Sequence, residues 1–216
     1  MCPSPATAPP FAAIILAAGL SSRYGGGNNK LLLPFRNSTV IGCVAQTVLC
    51  AALEYVVVVT GHERERVEAA LSGLPLRFIH NPRYREGEMS SSIKAGLKDL
   101  EPTPAVGAFI VPGDQPLLPA WVFRRLREAF LNGCGSILTP CHGARRGHPV
   151  LLGRAWWPEV QALPDGVPVR ALLRAHPQAV AYLLVNTDSV LLDVDTPEAY
   201  QRALAREGQE AGIARI

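Results

Sequence analysis

The feature that most constrains this chain is an apolar run that passes straight into a glycine-rich loop carrying both Arg and Lys. Residues 12–17 read as a buried strand, which opens into Ala18-Gly19-Leu20-Ser21-Ser22-Arg23, then Tyr24-Gly25-Gly26-Gly27 and Lys30. Such a loop suits a polyphosphate, because glycines let backbone N–H groups approach closely and the cations offset its charge. Neither of the two common phosphate loops is present: no Gly-Lys-Ser/Thr follows four variable residues, and no Gly-x-Gly-x-x-Gly opens a helix. Of 21 Lys and Arg residues only Lys30, Lys94 and Lys98 are lysines. A lysine kept at the end of this loop points to a role for a compact ammonium.

Strand and helix patterns alternate after the loop. Residues 39–53 carry apolar positions at helical spacing, and residues 55–60, with four consecutive valines, read as a strand buried on both faces. A short helix over 67–71, a strand over 77–80, a helix over 90–100 and a strand over 108–112 follow. This alternation predicts a parallel sheet with helices on both faces. Beyond a helix over 119–131 the pattern loosens. Strands are expected at 136–139, 150–152, 180–185 and 190–194, a polar loop at 141–147, and helices at 168–175 and 196–207. With no composition break and no repeat, the expectation is a flexible lead-in over 1–10 and one domain over 11–216. Its nucleotide-binding half spans about 11–118 and its acceptor-side half about 119–216.

Composition narrows the partners. A net charge of +3 arises from dispersed arginines without interleaved aromatics, which argues against nucleic acid. The five cysteines (Cys2, Cys43, Cys50, Cys134, Cys141) are odd in number and form no Cys-x-x-Cys, so they read as reduced, intracellular thiols. Cys43 and Cys50 are expected to be small buried residues, and Cys134, Cys141 and His142 match no zinc spacing. No basic residue precedes the apolar run at 11–20, and no run approaches the length of a membrane span. A soluble, cytoplasmic protein without membrane partners is expected.

Several polar residues stand where chemistry is possible. Asp114 directly follows an apolar strand, which puts it at the carboxyl edge of the sheet, where ligands bind in open α/β folds. A carboxylate opposite a phosphate loop suits Mg²⁺, although Asp114 also fits a turn. Asp193 and Asp195 offer a second acidic site and share a face if the strand at 190–194 continues, while Asp195-Thr196-Pro197-Glu198 also reads as a helix cap. Ser90, Ser91 and Ser92 either hold an anion or cap the following helix. His148, in Gly147-His148-Pro149, either donates to an anionic substrate or bonds locally.

Taken in order, the stretch Leu16-Ala17-Ala18-Gly19-Leu20-Ser21-Ser22-Arg23, Lys30-Leu-Leu-Leu-Pro, Asn81-Pro, Glu86-Gly-Glu-Met-Ser-Ser-Ser, Gly113-Asp-Gln-Pro, Gly147-His-Pro and Asp193-Val-Asp-Thr-Pro resembles one family. It is the MobA-like nucleotidyltransferases, and within them the molybdenum cofactor cytidylyltransferases. The resemblance runs from about residue 14 to 200 and implies a Rossmann-like, three-layer α/β sandwich with a mostly parallel sheet. It also implies Mg²⁺ dependence and transfer of CMP from CTP to the terminal phosphate of molybdopterin, with release of pyrophosphate. Residues 18–30 become the triphosphate loop, together with Leu16 and Ala17. Arg23 and Lys30 are its cations, Asp114 is a metal ligand, and Asp195 or Asp193 is a second. Ser90, Ser91, Gly147 and His148 fall on the acceptor side. The product would pass to a molybdoenzyme or its chaperone.

The chain departs from these relatives at Tyr24, at the longer loop over 25–29, and at Pro164-Asp165-Gly166-Val167-Pro168-Val169-Arg170, where relatives carry a Gly-Asp-x-Gly-Ala-Arg-like stretch. Guanylyl-transferring relatives tend to read Leu-Ala-Gly-Gly where this chain has Leu16-Ala17-Ala18-Gly19, so the methyl of Ala18 is expected to narrow the base pocket toward a pyrimidine. The competing expectations are another phosphate acceptor, GTP as donor, or a non-catalytic protein that binds and delivers the cofactor.

Overall fold

The computed structural model describes residues 8–25, 29–86 and 89–213, the last six as backbone only. Gly26, Gly27, Gly87 and Glu88, together with most of the lead-in, lie outside the described residues.

The first strand, β1 (Phe11–Ala17), sits inside the sheet and is buried at every position except Leu16, which is partly buried. Its side chains alternate between two cores: Phe11, Ala13, Ile15 and Ala17 enter one, Ala12 and Ile14 the other. The first core packs under α1 (Val40–Cys50), α2 (Arg64–Ala70) and α4 (Ala120–Leu131), the second under α3 (Met89–Leu100), α5 (Trp157–Ala162) and α6 (Arg170–Ala175). These are the expected three layers of an α/β sandwich.

On one side β1 pairs in parallel with β4 (Tyr55–Thr60), and β4 with β5 (Arg77–His80). On its other side it pairs in parallel with β6 (Gly107–Pro112). The sheet continues through β9 (Val150–Gly153), antiparallel to both neighbours, to β7 (Ile137–His142) and the edge strand β10 (Val180–Leu184). With β8 (Arg145–Arg146), which pairs β7, the sheet has eight strands and is mostly parallel. Its order reverses between β1 and β6, and a crevice at the carboxyl ends of two such strands is where ligands bind in open α/β sheets.

A third, smaller core lies outside the sheet. The two-stranded hairpin β2 (Pro34–Phe35) and β3 (Ser38–Thr39) packs with the C-terminal helix α7 (Pro197–Ile213) through Phe35, Val40, Cys43, Leu117, Val194 and Ala203. Thr39 caps α1 by accepting from the Gly42 amide at 3.1 Å, and Thr196 caps α7 by accepting from the Ala199 amide at 3.2 Å.

The strands over 55–60 and 77–80 fall where the sequence puts them, and the ends of others shift by one to three residues. Four expectations need correction. Residues 190–194 form no strand: a 3-10 turn over Asp188–Leu191 stands there, its start capped by Thr187, and the Val190 carbonyl is taken by the His148 amide at 2.9 Å. The valines that suggested a strand are buried by packing instead: Val190 joins the first core and Val194 a cluster with Phe35 and Ala203. The loop over 141–147 is shorter than expected, since β7 runs to His142 and pairs with Arg145 and Arg146. The helix expected over 39–53 ends at Cys50, and Ala52 has a positive φ of 51°. Cys50 is exposed, unlike Cys43. The hairpin of β2 and β3 and the helix α5, with Pro158 in its first turn, went unread because both are too short to carry a period.

Candidate nucleotide and metal site

The crevice between β1 and β6 holds a cavity of about 370 Å³. Residues 18–24 of the loop after β1 line it, with Lys30, Gly113 and Asp114, and with Asp195 from the segment before α7. Tyr84, Met89 and Ser92 line it as well.

Local bonds bring Lys30 back to the start of its own loop. Ser21 has a positive φ of 54°, and the Tyr24 amide donates to its carbonyl at 3.0 Å, which turns the chain. The Lys30 amide then donates to Ser21 Oγ at 3.2 Å. Asn29 accepts from the Leu31 amide at 3.1 Å, and Leu31 anchors the turn in the core. Opposite, the Gly113 amide donates to the Leu16 carbonyl at 3.0 Å. A Cβ at Gly113 would stand 2.6 Å from that carbonyl oxygen and 2.8 Å from Ile41 Cδ1, so only glycine lets the two strand ends approach this closely.

Lys30 is the centre of the charged cluster. Its ammonium donates to Asp114 Oδ2 and, at 2.5 Å, to Asp195 Oδ1. Burial pulls the Lys30 pKa down, but the two carboxylates outweigh it and hold the group above its ordinary value. Arg23, largely exposed, takes the other oxygen of Asp195 at 2.7 Å. The loop carrying Asp195 is tied to the loop carrying Asp114 by the Gln115 side chain, which donates to Asp193 Oδ1 at 2.5 Å. Burial raises the Asp193 carboxyl, with the Gln115 bond pulling down and the Asp114 charge adding to the rise. Burial likewise holds the His148 imidazole below its usual range, against the pull of Asp193 and Asp114.

Of the expected site residues, the structure brings Leu16, Ala18, Gly19, Ser21, Arg23, Lys30, Asp114 and Asp195 to the cavity wall. Ala17 is buried within β1. Ser90 is buried in α3, and Ser91 and Ser92 accept from the Asn81 side chain at 2.9 and 3.0 Å. Gly147 is buried against Val190, and His148, whose ring feels the charges of Asp193 and Asp114, is not among the residues that line the cavity. Because residues 190–194 are no strand, the shared face expected for Asp193 and Asp195 does not form: Asp193 faces Gln115 and Asp195 faces the cations. Tyr84 was missed, although Asn81-Pro82 signals the turn that presents it.

Asp114 and Asp195 already share one cation, so their oxygens form a seat of the charge that a hard divalent ion takes. Among the described residues no three His, Cys, Asp or Glu gather as a protein-only metal cage. A divalent ion here would draw its remaining ligands from phosphate and water, which suits Mg²⁺ or Mn²⁺.

A phosphate-type loop and an acid pair at the switch point of a mostly parallel sheet define a nucleotidyltransferase-type α/β protein. The chain belongs to the MobA-like NTP transferase family, whose domain profile matches residues 13–180. It is 31% identical over 198 residues to the molybdenum cofactor cytidylyltransferase of Escherichia coli K12, covering 89% of this chain and 95% of that one. It is also 32% identical over 197 residues to the nicotine blue oxidoreductase of Paenarthrobacter nicotinovorans, covering 88% and 95%. Among solved structures, Rv0371c of Mycobacterium tuberculosis H37Rv superposes with a TM-score of 0.77 at 28% identity, covering 92% of this chain and 99% of that one. A manganese complex of Rv0371c superposes with a TM-score of 0.73 at 27% identity, covering 91% and 98%. Asp195 lies outside the matched span of the family profile, so the second acid of the site comes from the C-terminal segment.

Proposed function

We propose that this protein transfers CMP from CTP to the terminal phosphate of molybdenum-bound molybdopterin, releasing pyrophosphate. The observation that carries the reading is Lys30 held between Asp114 and Asp195 beside the loop over residues 18–24. Likeness to the E. coli cytidylyltransferase over nearly the whole chain supports the choice of substrates.

In the reaction an oxygen of the acceptor phosphate attacks the α-phosphorus of CTP, the bond from that phosphorus to the β-phosphate oxygen breaks, and pyrophosphate leaves. The attacking phosphate has a second pKa of about 6 and is already ionised at neutral pH, so no side chain need remove a proton. The work is alignment of two polyanions and stabilisation of the charge that builds on the leaving group. Arg23, Lys30 and the amides after β1 supply donors for the triphosphate. Asp114 and Asp195 would hold Mg²⁺, which supplies charge neutralisation at the phosphoryl oxygens when bound. The methyl of Ala18, on the cavity wall, favours the smaller pyrimidine ring, and Ser90, Ser91, Gly147 and His148 belong to the acceptor side.

Pyrophosphate release from CTP and, separately, GTP, with Mg²⁺ and molybdate-loaded molybdopterin, tests the reading. CTP-dependent release that needs the pterin and collapses in Asp114→Ala supports it. A preference for GTP overturns the base assignment. The oxidoreductase relative motivates one further arm: reduction of nicotine blue by an added two-electron donor, with no pyrophosphate release from CTP or GTP, would replace the nucleotidyl-transfer reading altogether.

A further inference from the structure

We propose that Lys30 is the internal counter-ion of a charge-exchange site, so that a divalent cation and a nucleoside triphosphate bind well only together. The proposal rests on the metal seat assigned above.

Among the described residues, each charged side chain lining the cavity is already paired with a neighbour. The Lys30 ammonium fills the space between Asp114 and Asp195, and Arg23 holds the remaining oxygen of Asp195. Lys30 is fixed there at both ends: its backbone is tied to Ser21 Oγ, and its side chain is only 13% exposed. A divalent ion arriving alone would have to expel a buried ammonium and leave it without a partner, which is a costly state for a charge. A triphosphate arriving alone meets two cations whose charge is neutralised by the acids, and drawing them away would leave Asp114 and Asp195 facing each other unpaired. When both arrive, the pairs exchange: the carboxylates take the metal, and Lys30 and Arg23 take phosphate oxygens. No charge is left bare at any stage, so each ligand strengthens the other by the same factor, as linkage requires.

The same exchange separates Lys30 from Arg23. Arg23 is 75% exposed and bonds one oxygen of one acid, whereas Lys30 spans both acids. Removing Lys30 therefore vacates the seat, while removing Arg23 leaves it filled.

The test is Mn²⁺ binding to the full chain without nucleotide, read by the loss of the free-ion paramagnetic resonance signal, with thermal melts to confirm folding. Wild type is expected to bind weakly and Arg23→Gln within about twofold of wild type, whereas Lys30→Gln binds about tenfold or more tighter, a change of the size usual for coupled sites. A second arm measures CTP binding in chelator, where Asp195→Asn is expected to tighten binding by releasing Arg23 and removing one of the two negative charges on Lys30, which stays paired with Asp114. Wild type that binds Mn²⁺ alone as tightly as Lys30→Gln overturns the proposal, as does a Lys30→Gln protein, shown folded, with no gain. Equal tightening in Arg23→Gln also overturns it, since nearby positive charge rather than occupancy would then be the cause. These readings need no turnover: a protein that couples Mn²⁺ to CTP yet releases no pyrophosphate with the pterin would overturn the proposed reaction and keep the exchange.

Discussion

The amide of Val194 donates to the carbonyl of Asp114 at 2.9 Å, and through this bond the segment before α7 is laid directly across the loop after β6. One residue beyond it, Asp195 reaches the Lys30 ammonium on which Asp114 already rests. The geometry of the candidate site therefore depends on the docking of the C-terminal helix as well as on the sheet.

The two aspartates flanking Val194 are expected to behave differently. Asp195→Asn raises the metal concentration needed for half-maximal pyrophosphate release, whereas Asp193→Asn, which keeps an oxygen for Gln115, shifts it little. Asp193→Ala leaves the buried Gln115 amide without that acceptor and lowers stability by about 1–3 kcal/mol. Metal titrations and denaturant melts of the three variants separate the roles.

Asp114→Asn is expected to lower kcat at least about a hundredfold, the scale of several kcal/mol that a catalytic divalent ion contributes. The fold is expected to remain, since the Asp114 backbone bonds are untouched. Steady-state kinetics beside a circular dichroism spectrum check both halves of this statement.

Tyr200 links α7 to the hairpin, donating its hydroxyl to the Pro34 carbonyl and meeting the Tyr24 ring edge-on at 6.5 Å. Tyr200→Phe loses that one hydrogen bond, about 1 kcal/mol, and keeps the packing. Tyr200→Ala loosens the third core and with it Asp195, so its metal requirement rises while that of Tyr200→Phe stays near wild type. A metal titration of both proteins reads the difference.

Gly61 is expected to tolerate no side chain. A Cβ there would stand 2.8 Å from the Ala18 carbonyl oxygen and Cβ, and 2.7 Å from Tyr84 Cβ, all beside the cavity. Gly61→Ala should destabilise by about 1–3 kcal/mol, the usual range for overpacking, and weaken nucleotide binding. Ala18→Gly, by contrast, is expected to raise GTP use relative to CTP by roughly tenfold, the usual size of a one-methyl pocket effect. The ratio of kcat/KM for the two nucleotides measures the second, and calorimetry the first.

Lys30 and Asp188 contribute to the pH dependence of stability in opposite directions. Burial lowers the Lys30 pKa, but Asp114 and Asp195 more than offset it, so the folded value lies above the unfolded one of about 10.5. The contribution is fully present below about 10.5 and is lost as pH rises through the folded value. Asp188 is held below its ordinary value by its hydrogen bond to Arg206 on α7, so its contribution is present above the unfolded carboxyl range and disappears as pH falls through the folded value. Melts from acid to strong alkali should show Lys30→Met flattening only the alkaline decline and Asp188→Asn only the acid one.

Much of the sheet was legible because its central strands are short, continuous apolar runs, and the edge strand Arg77–His80 keeps an apolar pair between polar ends. Residues 55–60 and 77–80 need no tertiary knowledge, and the loop after β1 announces itself by glycines and cations at a strand end. The reading failed where apolar character came from packing rather than period. Residues 190–194 look like β1 but pack as a turn against His148 and α7, and the hairpin of β2 and β3 is too short to carry any pattern.

By itself the sequence determined the elements that report on local backbone preference: the central strands, the phosphate-type loop, the positions of Asp114 and Lys30, and through their order the family. Only the tertiary structure decided which acid joins Asp114. Asp193 and Asp195 differ by two positions and have the same chemistry, so no local rule separates them. The docking of α7 on the hairpin, with the Val194 and Gln115 bonds, turns one toward the amide of Gln115 and the other toward Lys30. A charge's partner is set by contacts across 165 positions of chain, and those exist only once the core has brought the segments together.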